Sequence, residues 1–190
     1  MTQADAALVH FVIDSRASLF TVQALASGIV AVVAHSPKFA IRDIDGAAAY
    51  VPRSLQNASL RMTINVASLE IMDEVSKSDR REIERVMFDE VLEKNFYPTV
   101  EFKSSRVSAT KTGENMYRVN IAGDLMLHGT TRGMGLEAQV VAGEDTLRAQ
   151  GSFTLMQSDY GLRIASVAGG TLKLKDELKF SYFIIGRRQD

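Results

Sequence analysis

Cysteine is absent from the sequence, which removes disulfides, thiolate nucleophiles and Cys-based zinc sites together and fits a reducing compartment. A dominant charge sign is missing too. The 22 Lys and Arg against 23 Asp and Glu leave a formal net charge of −1, too weak a field to draw the chain onto phosphate backbones or acidic membranes. Nucleic acid is therefore not an expected partner. The longest near-apolar run, Gly28 to Ala34, falls far short of the ~20 residues that span a bilayer. The segment Met1-Thr-Gln-Ala-Asp-Ala-Ala-Leu-Val-His lacks the positive and apolar regions of a secretory signal. A soluble, cytoplasmic protein without integral membrane association is the expectation.

Catalytic and metal motifs are scarce as well. Gly-x-Ser-x-Gly, a P-loop and Gly-x-Gly-x-x-Gly do not occur. The three histidines, His10, His35 and His128, stand at separations that match no helical metal pair, and each reads better as a surface or hydrogen-bonded loop residue. No cofactor and no metal is expected. A His128, Asp124 and serine set could be assembled for a hydrolase or isomerase, but a chain of this length offers many such trios.

What is present in quantity is alternation. In Ile121-Ala-Gly-Asp-Leu-Met-Leu-His-Gly-Thr-Thr-Arg-Gly-Met-Gly-Leu-Glu-Ala-Gln-Val140, one parity carries Ile121, Leu125 and Leu127, with Val119 just before, and the other carries Asn120, Asp124 and His128. After His128-Gly129, Met134, Leu136, Ala138 and Val140 fall on one parity. Two strands, each with one dry face, meet at a connection. Gly133-Met-Gly lies inside the second, its glycines serving backbone bending.

The same period recurs along the chain. Short strands are expected at His10 to Ile13 and Leu19 to Ala24, joined by the Asp14-Ser-Arg-Ala turn. Leu25 to Pro37 is apolar without alternation and ends at a proline, which favours a short buried helix. Strand resumes at Lys38 to Arg42, bends at Asp43-Ile-Asp-Gly and continues from Ala47 to Val51. Leu60, Met62, Ile64 and Val66 mark the cleanest strand. From Asp79 to Lys94 the period shifts toward 3.6, with Ser76 or Ser78 as cap and an apolar stripe of Ile83, Val86, Met87, Val91 and Leu92. The stripe suits a lid on the protein's own sheet better than a partner-docking or membrane-surface helix, whose charges would be cationic.

Tyr97-Pro98 stops this helix, and Val100, Phe102 and Ser104 open the next strand. Leu147, Ala149, Gly151, Phe153 and Leu155 form a further dry face. Gln157 to Asp176 reads as a long loop with a brief strand at Thr171 to Leu174, and Leu178 to Gly186 as the last strand. Both of its faces are apolar, so the helix is expected to cover it from outside. The sum is a mainly β chain of eight or nine antiparallel strands with one long helix inserted after the fourth. Its 190 residues suit one domain over residues 1–190. Short connections favour an up-and-down barrel over a two-sheet sandwich, since closure leaves no exposed edge.

Three stretches together resemble the YceI family of polyisoprenoid-binding, lipocalin-like barrels. Ile64-Asn-Val-Ala-Ser-Leu-Glu, the Asp79-Arg helix and Tyr97-Pro-Thr-Val-Glu-Phe-Lys-Ser-Ser-Arg-Val107 are similar to that family's strand, helix and "YP…F.S" strand. Ile121-Ala-Gly-Asp-Leu-Met-Leu-His-Gly-Thr-Thr resembles its "G.LTLHGVT" signature, and Gly151-Ser-Phe-Thr-Leu-Met-Gln-Ser-Asp-Tyr-Gly161 its late "F…R.DFG" strand and turn. The resemblance implies an eight-stranded antiparallel, lipocalin-like β-barrel around an elongated apolar cavity, with a long-chain isoprenoid or similar lipid inside and no catalytic centre. The chain departs from the family's pattern at Ala17-Ser18, where a His-Ser pair is usual, in the segment Gly28 to Pro37, and at Arg132-Gly-Met-Gly, where a basic-Pro-apolar run is usual.

The reading is a non-enzymatic carrier for a polyisoprenoid, isoprenoid quinone or fatty acyl chain. Parity nominates Phe20, Val22, Leu60, Met62, Ile64, Phe102, Val119, Ile121, Leu125, Leu136, Phe153 and Leu155 as the ligand-binding inner wall. The alternative is a structural or interaction barrel with a filled core, in which the helix and the two-faced last strand form a homodimer.

Overall fold

The computed structural model describes residues 7–27, 36–167 and 172–189. Twelve strands occur among them: β1 (Val9–Ile13), β2 (Leu19–Ser27), β3 (Lys38–Ile41), β4 (Ile44–Val51), β5 (Ser54–Asn65), β6 (Leu69–Ile71), β7 (Thr99–Lys111), β8 (Met116–Leu127), β9 (Thr130–Ala142), β10 (Thr146–Met156), β11 (Ser166–Val167) and β12 (Leu172–Gln189). One helix, α1 (Lys77–Arg85), runs on as a π-helical turn from Val86 to Val91.

Along one edge β12 pairs with β10, from Thr146↔Arg187 to Met156↔Glu177. Along the other it pairs with β1 and then β2, from His10↔Gln189 to Ser27↔Lys173. β1 and β2 are thus two halves of one stave, interrupted by the Asp14–Ser18 turn. The next two staves break in the same way, β3 from β4 at Arg42-Asp43 and β5 from β6 at the tight turn Val66–Ser68. The order β1-β4-β5-β7-β8-β9-β10-β12, closed by pairing of β12 with β1, is an eight-stave antiparallel barrel. A sandwich would leave that last pairing open.

Three expectations need correction. Leu25, Ala26 and Ser27 continue β2 instead of starting a helix, because β12 supplies a pairing edge that local propensity cannot foresee; residues 28–35 lie outside the described residues. The last strand reaches back to Leu172. A register shift against β2 between Leu174 and Leu178 interrupts the alternation there and gives Lys175-Asp176-Glu177 the look of a loop. The helix does not cover the outer face of β12. Phe183 stays exposed on that face beside its register partner Leu19, and the buried Ile185 lies where the Asp14 N–H donates to its carbonyl and its own N–H donates to Ser18 Oγ.

One end of the barrel is closed by short turns and filled by Phe11, Tyr50, Leu55, Val107, Tyr117, Val119, Ala138 and Val140, all buried. Phe11 stacks on Tyr50 with centroids 5.5 Å apart. From this cluster an unfilled interior extends to the other end, where the staves meet the helix and the loop after β10.

Candidate functional site: an apolar cavity under a helical lid

Leu60, Met62, Ile121, Leu136, Phe153 and Leu155 face inward by parity yet are only half-buried. They border a cavity of about 370 Å³ whose wall is almost wholly hydrocarbon. Across it runs an aromatic group built from cross-strand neighbours. Phe153 stacks on Phe180 with centroids 4.6 Å apart, and Phe20 meets Phe153, Phe180 and Tyr182 edge-on at 5.9 to 6.3 Å.

Three of the few polar side chains on the wall are already engaged. Asp73 Oδ2 accepts from the Lys38 N–H at 2.7 Å. The buried Gln157 donates from Nε2 to the Lys175 carbonyl at 2.9 Å, and the Tyr182 hydroxyl donates to the Glu137 carbonyl at 3.0 Å. Burial pushes the Tyr182 hydroxyl up to about 12. Among the described residues no buried side-chain nitrogen or oxygen lacks a partner, and polar groups are few on a wall that is otherwise hydrocarbon. An occupant would be selected by shape and apolar contact.

The apolar stripe of the helix closes the wide end. Ile83, Val86, Met87, Val91 and Leu92 all reach the cavity. Ser76 caps the first turn, its Oγ accepting from the Asp79 N–H at 3.1 Å. The π-helical bond from the Leu92 N–H to the Met87 carbonyl, 2.9 Å long, widens the last turn; such turns often sit at functional sites. Three polar ties hold this lid. Arg80 donates to the Ile71 and Asp73 carbonyls at 3.1 and 3.3 Å. Arg163 pairs with Glu90 at 2.9 Å, and His128 Nε2 lies 2.8 Å from Glu93 Oε2 with its ring 4.2 Å from that of Tyr97.

This contact settles where His128 stands relative to Asp124. His128 and Gly129 both have positive φ, 52° and 71°, the signature of a two-residue hairpin turn between β8 and β9. The imidazole meets Glu93 and Tyr97, whereas Asp124 is exposed on the outer parity of β8. Among the described residues no three His, Asp or Glu side chains gather as a metal site.

All twelve residues nominated by parity lie on the cavity wall. Parity along strands could not nominate the helix stripe as part of the site, although the stripe itself was visible. It also passed over Phe180, which belongs to the same face as Tyr182. Gly133 and Gly135 are not bends: neither has positive φ, and a Cβ would meet nothing within 4 Å at Gly135 and only Asp124 Oδ1, at 3.8 Å, at Gly133.

The fold is similar to that of BcnA from Burkholderia cenocepacia, at 18% identity and a TM-score of 0.69 over 91% of this chain and 98% of that one. A polyisoprenoid-binding domain from Saccharophagus degradans implicated in plant cell wall breakdown superposes at 12% identity and a TM-score of 0.64, over 96% and 100% of the two chains. The YceI protein of Campylobacter jejuni does so at 14% and 0.58, over 80% and 84%. At these identities the likeness is one of fold. No curated protein matches by sequence. The YceI-like domain, however, matches residues 11–183, a span that runs from β1 into β12 and takes in the lid, and the chain therefore belongs to the YceI-like family.

Proposed function

We propose that this protein is a non-enzymatic carrier or sequestering protein that takes a long apolar chain, a polyisoprenoid, isoprenoid quinone or fatty acyl group, into the barrel. The observation that carries this reading is the set of inward-pointing hydrocarbon side chains left half-buried around a closed hollow. A protein interior is ordinarily packed like an organic crystal, so an unfilled greasy interior suits an occupant. The name of the Saccharophagus degradans neighbour, a polyisoprenoid-binding domain, supports the same class of ligand.

The energetics are adequate. A dozen buried methylenes at ~0.8 kcal/mol each contribute about 10 kcal/mol, against a cost of association of several kcal/mol. At the low end of that cost about 6 kcal/mol remains, a Kd of roughly tens of micromolar without any hydrogen bond, and each further buried methylene tightens it about fourfold.

Native mass spectrometry of protein purified from cells, followed by organic extraction, tests the proposal. A co-purifying lipid mass is expected. Protein that carries none and ignores an apolar dye such as N-phenyl-1-naphthylamine would leave the filled structural barrel as the better reading. That reading has one observation of its own, the exposed pair of Leu19 on β2 and Phe183 on β12. A single pair is small beside the ~1,000 Å² a stable interface buries.

A further inference from the structure

The barrel wall is not evenly sealed. β8 and β9 pair along their whole length, from Met116↔Val141 to Leu127↔Thr130, and β10 and β12 from Thr146↔Arg187 to Met156↔Glu177. Between them, β9 and β10 pair only from Leu147↔Ala142 to Gln150↔Gln139. Beyond Gln150 the ladder stops, and residues 130–138 of β9 and 151–156 of β10 carry no rungs to each other.

Two side-chain ties span this seam. At its inner end Tyr182 reaches from β12 across Gly151 to the Glu137 carbonyl. Only glycine permits the crossing, because a Cβ on residue 151 would stand 2.4 Å from the Tyr182 hydroxyl. At the rim Arg132 Nε donates to the Asp159 carbonyl, with Nη1 3.6 Å from the Asp159 carboxylate.

A second seam makes a control. The β5–β7 ladder runs only from Arg61↔Lys103 to Asn65↔Thr99, and beyond it the Leu60 N–H donates to Ser104 Oγ and the Ala109 N–H to Gln56 Oε1. Leu55 and Val107 behind that seam also border the cavity, but both are buried and pack it shut from within. The β9–β10 seam is backed by half-buried Met134, Leu136, Phe153 and Leu155, which border the cavity. On its outer side Gly133 and Gly135 present no side chain, and Met156 is exposed at its rim.

We propose that the β9–β10 seam is a lateral opening through which a long apolar chain passes between the cavity and the outside, with the Tyr182 hydroxyl as its latch. The proposal rests on the carrier reading above and adds a route and a ligand shape. A chain longer than the hollow is accommodated by threading the wall, and the helical lid need not open for exchange.

The test uses the natural absence of cysteine. Gly135→Cys, at a position with open space around it, is coupled to a bulky maleimide, and Thr110→Cys, exposed on β7 away from the seam, is coupled likewise as control. Uptake and release of cis-parinaric acid are followed by stopped-flow fluorescence, alongside equilibrium affinity and melting temperature. Blocking the seam slows uptake and release together by about tenfold while affinity is held, as for a gate, and the control label leaves both unchanged. Tyr182→Phe quickens both rates severalfold, an outcome that a purely structural hydroxyl would not give. Equal rates for the two labelled proteins overturn the lateral route and leave the carrier reading standing. Unlabelled protein that takes up no cis-parinaric acid at all removes the carrier reading, and the route with it.

Discussion

Single atoms decide how tightly this barrel can close. Gly123 sits opposite Ser104, where the β7–β8 register shifts, and a Cβ there would lie 2.4 Å from the Lys103 carbonyl and 2.6 Å from the Phe102 ring. Backbone cannot yield as a flexible side chain can, so Gly123→Ala is expected to cost about 1–3 kcal/mol, read as a fall in the urea midpoint. Titration supplies a second prediction at this scale. Burial raises the hydroxyls of Tyr50 and Tyr160 and pushes that of Tyr182 up to about 12, from an ordinary value of 10.0. As pH rises past the ordinary value the unfolded chain releases protons that the folded chain keeps. Stability is therefore fully present below that pH and declines from there toward about 12. Tyrosinate absorbance should rise late in the native protein and near the ordinary value in urea; coincident curves would contradict the burial of these rings.

Between residues and the whole stand the lid and the broken staves. The lid is held by groups of opposite kind, a guanidinium on two carbonyls at one edge and a histidine–glutamate contact at the other. Arg80→Ala leaves the Ile71 and Asp73 carbonyls to water and is expected to cost about 1 kcal/mol, with amide exchange in residues 77–91 rising more than in β8 and β9. His128→Asn keeps the turn, because asparagine tolerates left-handed backbone, and loses the Glu93 tie; exchange should rise at the end of the lid with the barrel unaffected. Strand parity in β7 to β10 was readable because each stave has one wet and one dry face. The breaks were less so. Asp43 and Asn65 each mark an interruption, but only the pairing of β3 with both β2 and β6 reveals that two short strands share one stave. The π-helical turn left no mark in a 3.6-residue stripe, and the tail of β12 was hidden by its bulge.

At the scale of the whole molecule the question is how much of the barrel interior is packed and how much is hollow, and parity has no means of distinguishing the two. Phe11, Tyr50 and Tyr117 are buried in one cluster, while Leu60, Leu136 and Leu155, equally inward, stay half-buried along the cavity. Ile121 stands at the boundary, packed against both the filled cluster and the cluster beneath the lid. It therefore offers a test of the hollow. In a close-packed core Ile121→Trp would force side chains off their rotamers at about 1–3 kcal/mol. In this barrel the added ring has empty space to enter, so the thermal midpoint of lipid-free protein should hold or rise. The same variant should take up less cis-parinaric acid and lose the stabilisation that a saturating ligand confers, about 2.7 kcal/mol at a hundredfold excess over Kd. Wild type heated with ligand should melt later than without it, whereas the variant should melt at one temperature in both. A variant that unfolds early and binds normally would place the ligand elsewhere, because space taken from the interior would then have cost packing and not occupancy.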